Sequence, residues 1–220
     1  MSWIQREEII TSTQDWTAPA CRNQEFEVTV WGAGGSGSMD GNYFNTIGGA
    51  GGGAGEMKSG NFTINQHERI HVEIGQGGQG ISESSDRLID YIGHMTGKSG
   101  GTTSFGNYIC ANGGLGGNLN KGGQGGHDGG DTGMTAEGNY IGYGVNNSVE
   151  GINYSSGGGA GAVNARGVGG TASMLQGNGG TAAGGAGCFL EPGVNNTISR
   201  RIGSGGQGVC VIRYYTQIGG

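Results

Sequence analysis

The sequence predicts a mainly β protein: a β-sandwich of jelly-roll or TNF-like type, with a bundle of laterally packed polyglycine-II helices inserted between its short antiparallel strands. Three observations lead there. Of 220 residues, 56 are glycine and only 2 are proline. The apolar residues gather into short runs of period two, the mark of half-buried strands. Between these runs the glycines recur with a loose period of three, the repeat of the polyproline-II conformation. Glycine at this level otherwise marks collagen or disorder. Collagen needs strict Gly-X-Y with abundant proline, and neither is present. Disorder is the serious competitor, since only 33% of residues are hydrophobic and glycine loses the most entropy on ordering. The gathering of apolar residues into runs, with 3 Trp, 8 Tyr and 5 Phe, argues for a chain that packs.

The elements follow in order. Residues 1–23 read as an N-terminal arm or docking segment. There Trp3, Ile4, Ile9, Ile10 and Trp16 flank the acidic pair Glu7-Glu8, and an apolar surface outside the glycine framework marks an interface. Residues 24–220 read as the glycine-rich domain. Its first strand is Phe26 to Trp31, with Phe26, Val28 and Val30 on one face, running directly into Gly32-Ala33-Gly34-Gly35. A second spans Glu56 to Ser59 and Phe62 to Ile64, and Arg69 to Ile74 is a third. Thr102 to Phe105 and Tyr108 to Ala111 form a pair broken at Gly106-Asn107; Val209 to Tyr214 is the last.

Gly49, Gly52 and Gly55 illustrate the period of three, as do the runs at 113–117 and 122–126 and, less regularly, 157–161 and 177–187. Nothing projects from a glycine to hold neighbouring helices apart, so they can bond sideways. Buried backbone polar groups need partners, so such helices occur as a bundle or not at all. Any single run would equally serve as a flexible linker. Met39 to Ile47, Ile81 to Met95, Met134 to Tyr154 and, more weakly, Cys188 to Arg201 interrupt the pattern with bulkier residues. They are expected to be loops, where binding usually resides.

His67-Glu68-Arg69-Ile70-His71 matches H-E-x-x-H, a zinc-protease signature that works only on a helix. Here Ile70, Val72 and Ile74 alternate with Arg69, His71 and Glu73, and glycine follows at once. On a strand the two imidazoles stand about 13 Å apart at ~3.3 Å per residue. The expectation is a strand with no zinc site. Asp128, Asp131 and Glu137 near His127 match no known metal loop and read as a hydrated turn. G-x-G-x-x-G matches occur wherever glycine is dense, but none opens a helix after a strand with the required acidic residue, and no G-x-x-x-x-G-K-[ST] is present. Neither enzyme activity nor a cofactor is expected.

A net charge of −6 with only 11 basic residues, none in a stripe, argues against nucleic acid. The first ten residues lack the cationic-then-apolar pattern of a signal peptide, and no run approaches the ~20 apolar residues of a membrane span. Cytoplasmic synthesis without export is expected. Cys21, Cys110, Cys188 and Cys210 are expected to be free thiols, with Cys110 and Cys210 as small buried strand residues.

Five segments together carry a resemblance: F-E-V-T-V-W-G-A-G-G-S-G (26–37), G-G-A-G-G-G-A-G-E-M-K-S-G-N-F-T-I (48–64), I-H-V-E-I-G-Q-G-G-Q-G (70–80), G-G-T-T-S-F-G-N-Y-I-C-A-N-G-G (100–114) and G-V-C-V-I-R-Y-Y (208–215). In this order they resemble the glycine-rich domain of bacteriophage tail-fibre, receptor-binding and tail-tip proteins. The resemblance covers most of Gln24 to Gly126 and Gly203 to Tyr215. A similar layout is found in the extracellular glycine-rich domain of anaplastic lymphoma kinase receptors and in the polyglycine-sandwich adhesins of T-even-type phages.

The resemblance implies a virion protein at the host-facing end of the tail, made in the bacterial cytoplasm. Its implied partners are other phage tail proteins and a host-surface receptor, either a glycan or an outer-membrane protein. A homo-oligomer such as a trimer is left open. Tyrosines among Asn, Ser and Gly give the loops a paratope-like composition, so Tyr43, Phe44, Tyr91, Tyr140, Tyr143 and Tyr154 are the candidate receptor contacts. Each could equally pack over its own loop. Two competing readings remain: a structural tail or baseplate component whose loops bind nothing, and an ice-binding protein. The latter would want a flat threonine or alanine face that the chain lacks.

Overall fold

The structure, a computed structural model, describes residues 2–41, 47–85, 93–119, 121–126, 147–149, 152–154, 161–162, 178–185, 187, 189–192 and 198–217. Its first strands are β1 (Trp3–Ile10), β2 (Gln14–Thr17), β3 (Glu25–Trp31), β4 (Met39–Gly41), β5 (Ile47–Gly49) and β6 (Met57–Thr63). Then come β7 (Arg69–Glu73), β8 (Ile81–Ser85), β9 (Gly93–Met95), β10 (Thr103–Phe105) and β11 (Ile109–Ala111). The remainder are β12 (Asn147–Val149), β13 (Ile152–Tyr154), β14 (Gly161–Ala162), β15 (Phe189–Pro192), β16 (Ile198–Ile202) and β17 (Val209–Gln217). A 3-10 turn, Arg22–Gln24, precedes β3. The chain is mainly β, as its alternating pattern predicts.

Two four-stranded antiparallel sheets, β1-β17-β3-β6 and β11-β10-β7-β2, share one core. Strand alternation explains the sharing, because residues two apart lie on one face. Phe26, Val28 and Val30 of β3 meet Ile212 and Tyr214 of β17 on the inner face of the first sheet. The second contributes Trp16, Ile70, Val72 and Phe105. Trp16 stands edge-on to Phe26 with ring centroids 5.3 Å apart, and Phe105 lies tilted at 5.4 Å from it.

Residues 1–23, expected as an N-terminal arm or docking segment, contribute two strands to the sandwich. Strand β1 pairs with β17 over its whole length, from Trp3↔Gln217 to Ile10↔Cys210, and β2 pairs with β7. Ile10 and Trp16 are core residues, 3% and 5% exposed. The local texture of residues 1–16 differs from the glycine-rich remainder, but their partners are more than fifty residues away and are not legible locally.

From the sandwich the chain passes through glycine segments into the small strands. Residues 32–38 link β3 to β4, and 50–56 return from β5 to β6. Residues 74–80 link β7 to β8, and 96–102 return from β9 to β10. Residues 203–208 return from β16 to β17. The small strands joined by these segments enter two sheets, β14-β5-β4-β9 and β15-β16-β8, and β12 pairs with β13 in a two-stranded sheet.

Segment 32–38 shows how the glycine region is bonded. Gly32 donates to Glu56 O, Ala33 to Gly101 O and Gly34 to Gly206 O. The cycle then repeats: Gly35 to Gly53 O, Ser36 to Lys98 O, Gly37 to Gly203 O, and Ser38 to Ala50 O, all at 2.8–3.0 Å. Successive N–H groups thus turn to successive neighbours and return to the same one every third residue. Acceptors that step backward by three residues show that all three neighbours run antiparallel to this segment. Its carbonyls meanwhile receive bonds from Gly78, Gly114, Gly117 and Gly185.

Contacts this close explain the glycines. A Cβ on Gly34 would lie 1.9 Å from Ala183 O, and one on Gly35 2.2 Å from Leu115 O. Among the described glycines only Gly106 has a positive φ, at 50°. At Gly34 and Gly35 glycine is required for the missing Cβ and not for left-handed backbone.

Candidate functional site

Tyr43 and Phe44 lie between β4 and β5, and Tyr91 lies between β8 and β9; these three, with Tyr140 and Tyr143, are outside the described residues. Tyr154 closes β13, its backbone opposite Asn147 of β12. The stretches expected to be plain loops carry strands at their ends, because β4 finds partners in β5 and β9 while β8 finds β16.

The candidate docking residues divide into two sets. Trp3, Ile4 and Ile9 are 41%, 39% and 44% exposed on β1, which is an edge strand. Ile10 and Trp16 point into the core and are withdrawn from any surface. Between them the acidic pair is engaged internally. Glu8 accepts hydrogen bonds from Trp16 Nε1 at 3.0 Å and from the Tyr214 hydroxyl. Burial, reinforced by the Glu8 carboxylate, pushes the Tyr214 phenol far up. Glu7 accepts from Arg213 Nε at 2.6 Å, and Arg213 Nη1 lies 3.6 Å from Glu27.

The H-E-x-x-H stretch lies on a turn and a strand. His67 sits in a turn with φ of 66°, and Arg69 to Glu73 form β7 with alternating burial. The side chains of Glu68, Arg69 and His71 each have a partner. Asp15 Oδ1 lies 2.8 Å from His71 Nδ1, and Arg69 Nη2 donates to Asp15 Oδ2 at 2.8 Å. The His71 contact, aided by Arg69, holds the Asp15 carboxyl below its ordinary range. Glu68 accepts from the Tyr108 hydroxyl at 2.6 Å, which lowers the carboxyl and raises the phenol. No group of three or more His, Cys, Asp or Glu among the described residues could hold a metal ion.

The described thiols Cys21, Cys110 and Cys210 are free. Cys210 is fully buried, and its thiol is pushed up to about 12 by desolvation. Cys110 was expected inside but is exposed, since Thr103, Phe105 and Ala111 take the inward positions of the β10–β11 pair. Thiolate is the reactive form. Ellman's reagent should therefore modify Cys110 in the native protein and reach Cys210 only on unfolding, as peptide mapping of the modified protein can check. Labelling of native Cys210 would contradict the buried placement.

A mainly β chain with two antiparallel sheets, its strands joined through hydrogen-bonded glycine segments, defines the class: a glycine-rich β protein. The model of the glycine-rich domain family matches residues 9–215, and the chain belongs to that family. Its match opens within β1 and so includes Trp16. No curated protein matches the chain.

Proposed function

We propose that this chain is a bacteriophage virion tail protein, a receptor-binding, tail-tip or fibre component that recognises a host-surface glycan or outer-membrane protein through its long loops. The observation that carries the reading is the period-three bonding of residues 32–38 to neighbours on every side. That pattern supports packing of the glycine segments as polyglycine-II helices. A framework so cross-linked holds what it carries in place, and pre-organisation lowers the entropy lost on binding. It also directs the chain to the segments bearing Tyr43, Phe44 and Tyr91.

Segment 134–154 has the composition best suited to contact. Tyr140, Tyr143 and Tyr154 supply flat apolar faces with polar tips, and Asn139, Asn146 and Asn147 supply neutral hydrogen bonds without the desolvation cost of charge. One or two tyrosines should dominate, at ~2 kcal/mol or more each. Tyr140→Ala and Tyr143→Ala are expected to weaken adsorption to host cells while leaving the thermal melt unchanged. If both variants adsorb like the parent, receptor recognition by this loop is refuted.

The second reading is a structural tail or baseplate component. The exposure of Trp3, Ile4 and Ile9 on an edge strand favours it, since such an edge is a natural template for another chain. Other tail proteins, or further copies in a homo-oligomer such as a trimer, are its partners. The two readings part on whether the purified protein binds host cells.

A further inference from the structure

The outward face of the β1-β17-β3-β6 sheet is covered at one end and open at the other. Trp31, Val209 and Val211 are buried there against Ala182. Toward the opposite end the same face carries polar side chains and one phenol in two cross-strand rows. Glu7, Arg213, Glu27 and Asn61 stand opposite one another in register. In the next row Gln5 faces Tyr215, and Glu25 faces Thr63. Residues two apart on a strand share a face, so both rows project to the same side.

A groove of about 490 Å³ opens over these rows, inside the ~300–1,000 Å³ range of small-ligand sites. Tyr215 is 46% exposed. The side chains of Gln5, Asn61, Thr63 and Tyr215 form no hydrogen bond within the described protein. On the second sheet, by contrast, Asp15, His71 and Arg69, and likewise Glu68 and Tyr108, occupy one another. Arg213, which lines the groove, is held by Glu7 through Nε and lies 3.6 Å from Glu27 through Nη1.

We infer that this groove is a carbohydrate-binding site for a neutral oligosaccharide. A pyranose ring presents one apolar C–H face and a rim of hydroxyls that both donate and accept. The Tyr215 ring is a flat surface for the first. For the second, Glu25 and Glu27 accept, Arg213 donates, and the Gln5 and Asn61 amides do both. Two carboxylates line the groove, those of Glu25 and Glu27, and Glu7 stands beside it on Arg213, so carboxylates outnumber the single guanidinium. The chain as a whole carries −6. A field of that sign repels sulfated, phosphorylated or uronic sugars and leaves neutral ones unaffected. Every residue of the groove belongs to the sandwich, so this inference stands apart from recognition by the loops.

Saturation-transfer difference NMR on the full chain tests it, with chitotriose, maltotriose, cellotriose and mannotriose as probes. Trigalacturonate and trilysine serve as charged counterparts. At least one neutral trisaccharide is expected to give a saturable signal, and trigalacturonate none. Tyr215→Ala and Asn61→Ala should each weaken that binding about ten-fold or more, as loss of a dominant contact does, with Tyr215→Phe retaining it. Both side chains are exposed, and the thermal melt of each variant controls for folding; should Tyr215→Ala melt early, Asn61→Ala alone decides. The groove substitutions leave segment 134–154 intact, and loop recognition is read separately by host-cell adsorption of Tyr140→Ala and Tyr143→Ala, which separates failure of this site from failure of the loops. The inference is overturned if no neutral sugar binds, if binding survives both groove substitutions, or if trigalacturonate or trilysine is the preferred ligand.

Discussion

Gly34→Ala is expected to abolish the cooperative thermal melt of this protein. The new Cβ would sit 1.9 Å from the carbonyl oxygen of Ala183 and 2.3 Å from its carbon. Both are backbone atoms, so no side-chain rotation relieves the clash. Nor can the segments part cheaply. Gly34 donates to Gly206 O and accepts from Gly78, so widening one contact breaks bonds to others. Each broken bond leaves a buried polar group at about 1–3 kcal/mol. Ordinary overpacking costs roughly 1–3 kcal/mol. A clash between backbones that also strips hydrogen bonds belongs with the exceptional substitutions beyond about 4–5 kcal/mol. Gly101→Ala is the matched comparison, because its nearest neighbour, Gln76 N, lies at 3.0 Å. It should fold and melt somewhat earlier. Circular dichroism melts of the two variants decide the matter, and a Gly34→Ala protein melting within a few degrees of the parent would contradict the lattice.

Removing residues 1–16 should unfold the chain and not simply release it from a partner. The deletion takes away β1, which borders β17 along eight residues, and three of the four residues of β2. Trp16 alone packs against both Phe26 and Phe105 and donates to Glu8. Truncating a buried tryptophan to alanine costs about 3–5 kcal/mol, a large share of the ~5–15 kcal/mol that keeps a domain folded. Trp16→Ala should therefore lower the melting temperature steeply. Trp3→Ala and Ile9→Ala, at exposed positions on the same segment, should leave it nearly unchanged. Those two substitutions are the proper probes of attachment to another chain. A deletion variant that melts like the parent would return residues 1–16 to the status of a separate arm.

Much of the strand content was legible because its signal is local. Alternation over Phe26 to Trp31 and Arg69 to Ile74 predicts β3 and β7, and it removes H-E-x-x-H from the helix that a zinc site requires. The period-three glycines likewise announce extended segments that must bond sideways. Tertiary structure alone decided which segments meet. Nothing within Trp3 to Ile10 identifies β17 as its neighbour, and nothing near Cys110 says that Phe105 and Ala111 take the inward positions. The open groove is the clearest case. Its polar residues come from β1, β3, β6 and β17, separated by as much as two hundred residues and joined only by sheet register. A repeat is written into neighbouring residues, whereas register is set by whichever distant strand buries the same face, and that competition is settled only when the whole chain packs.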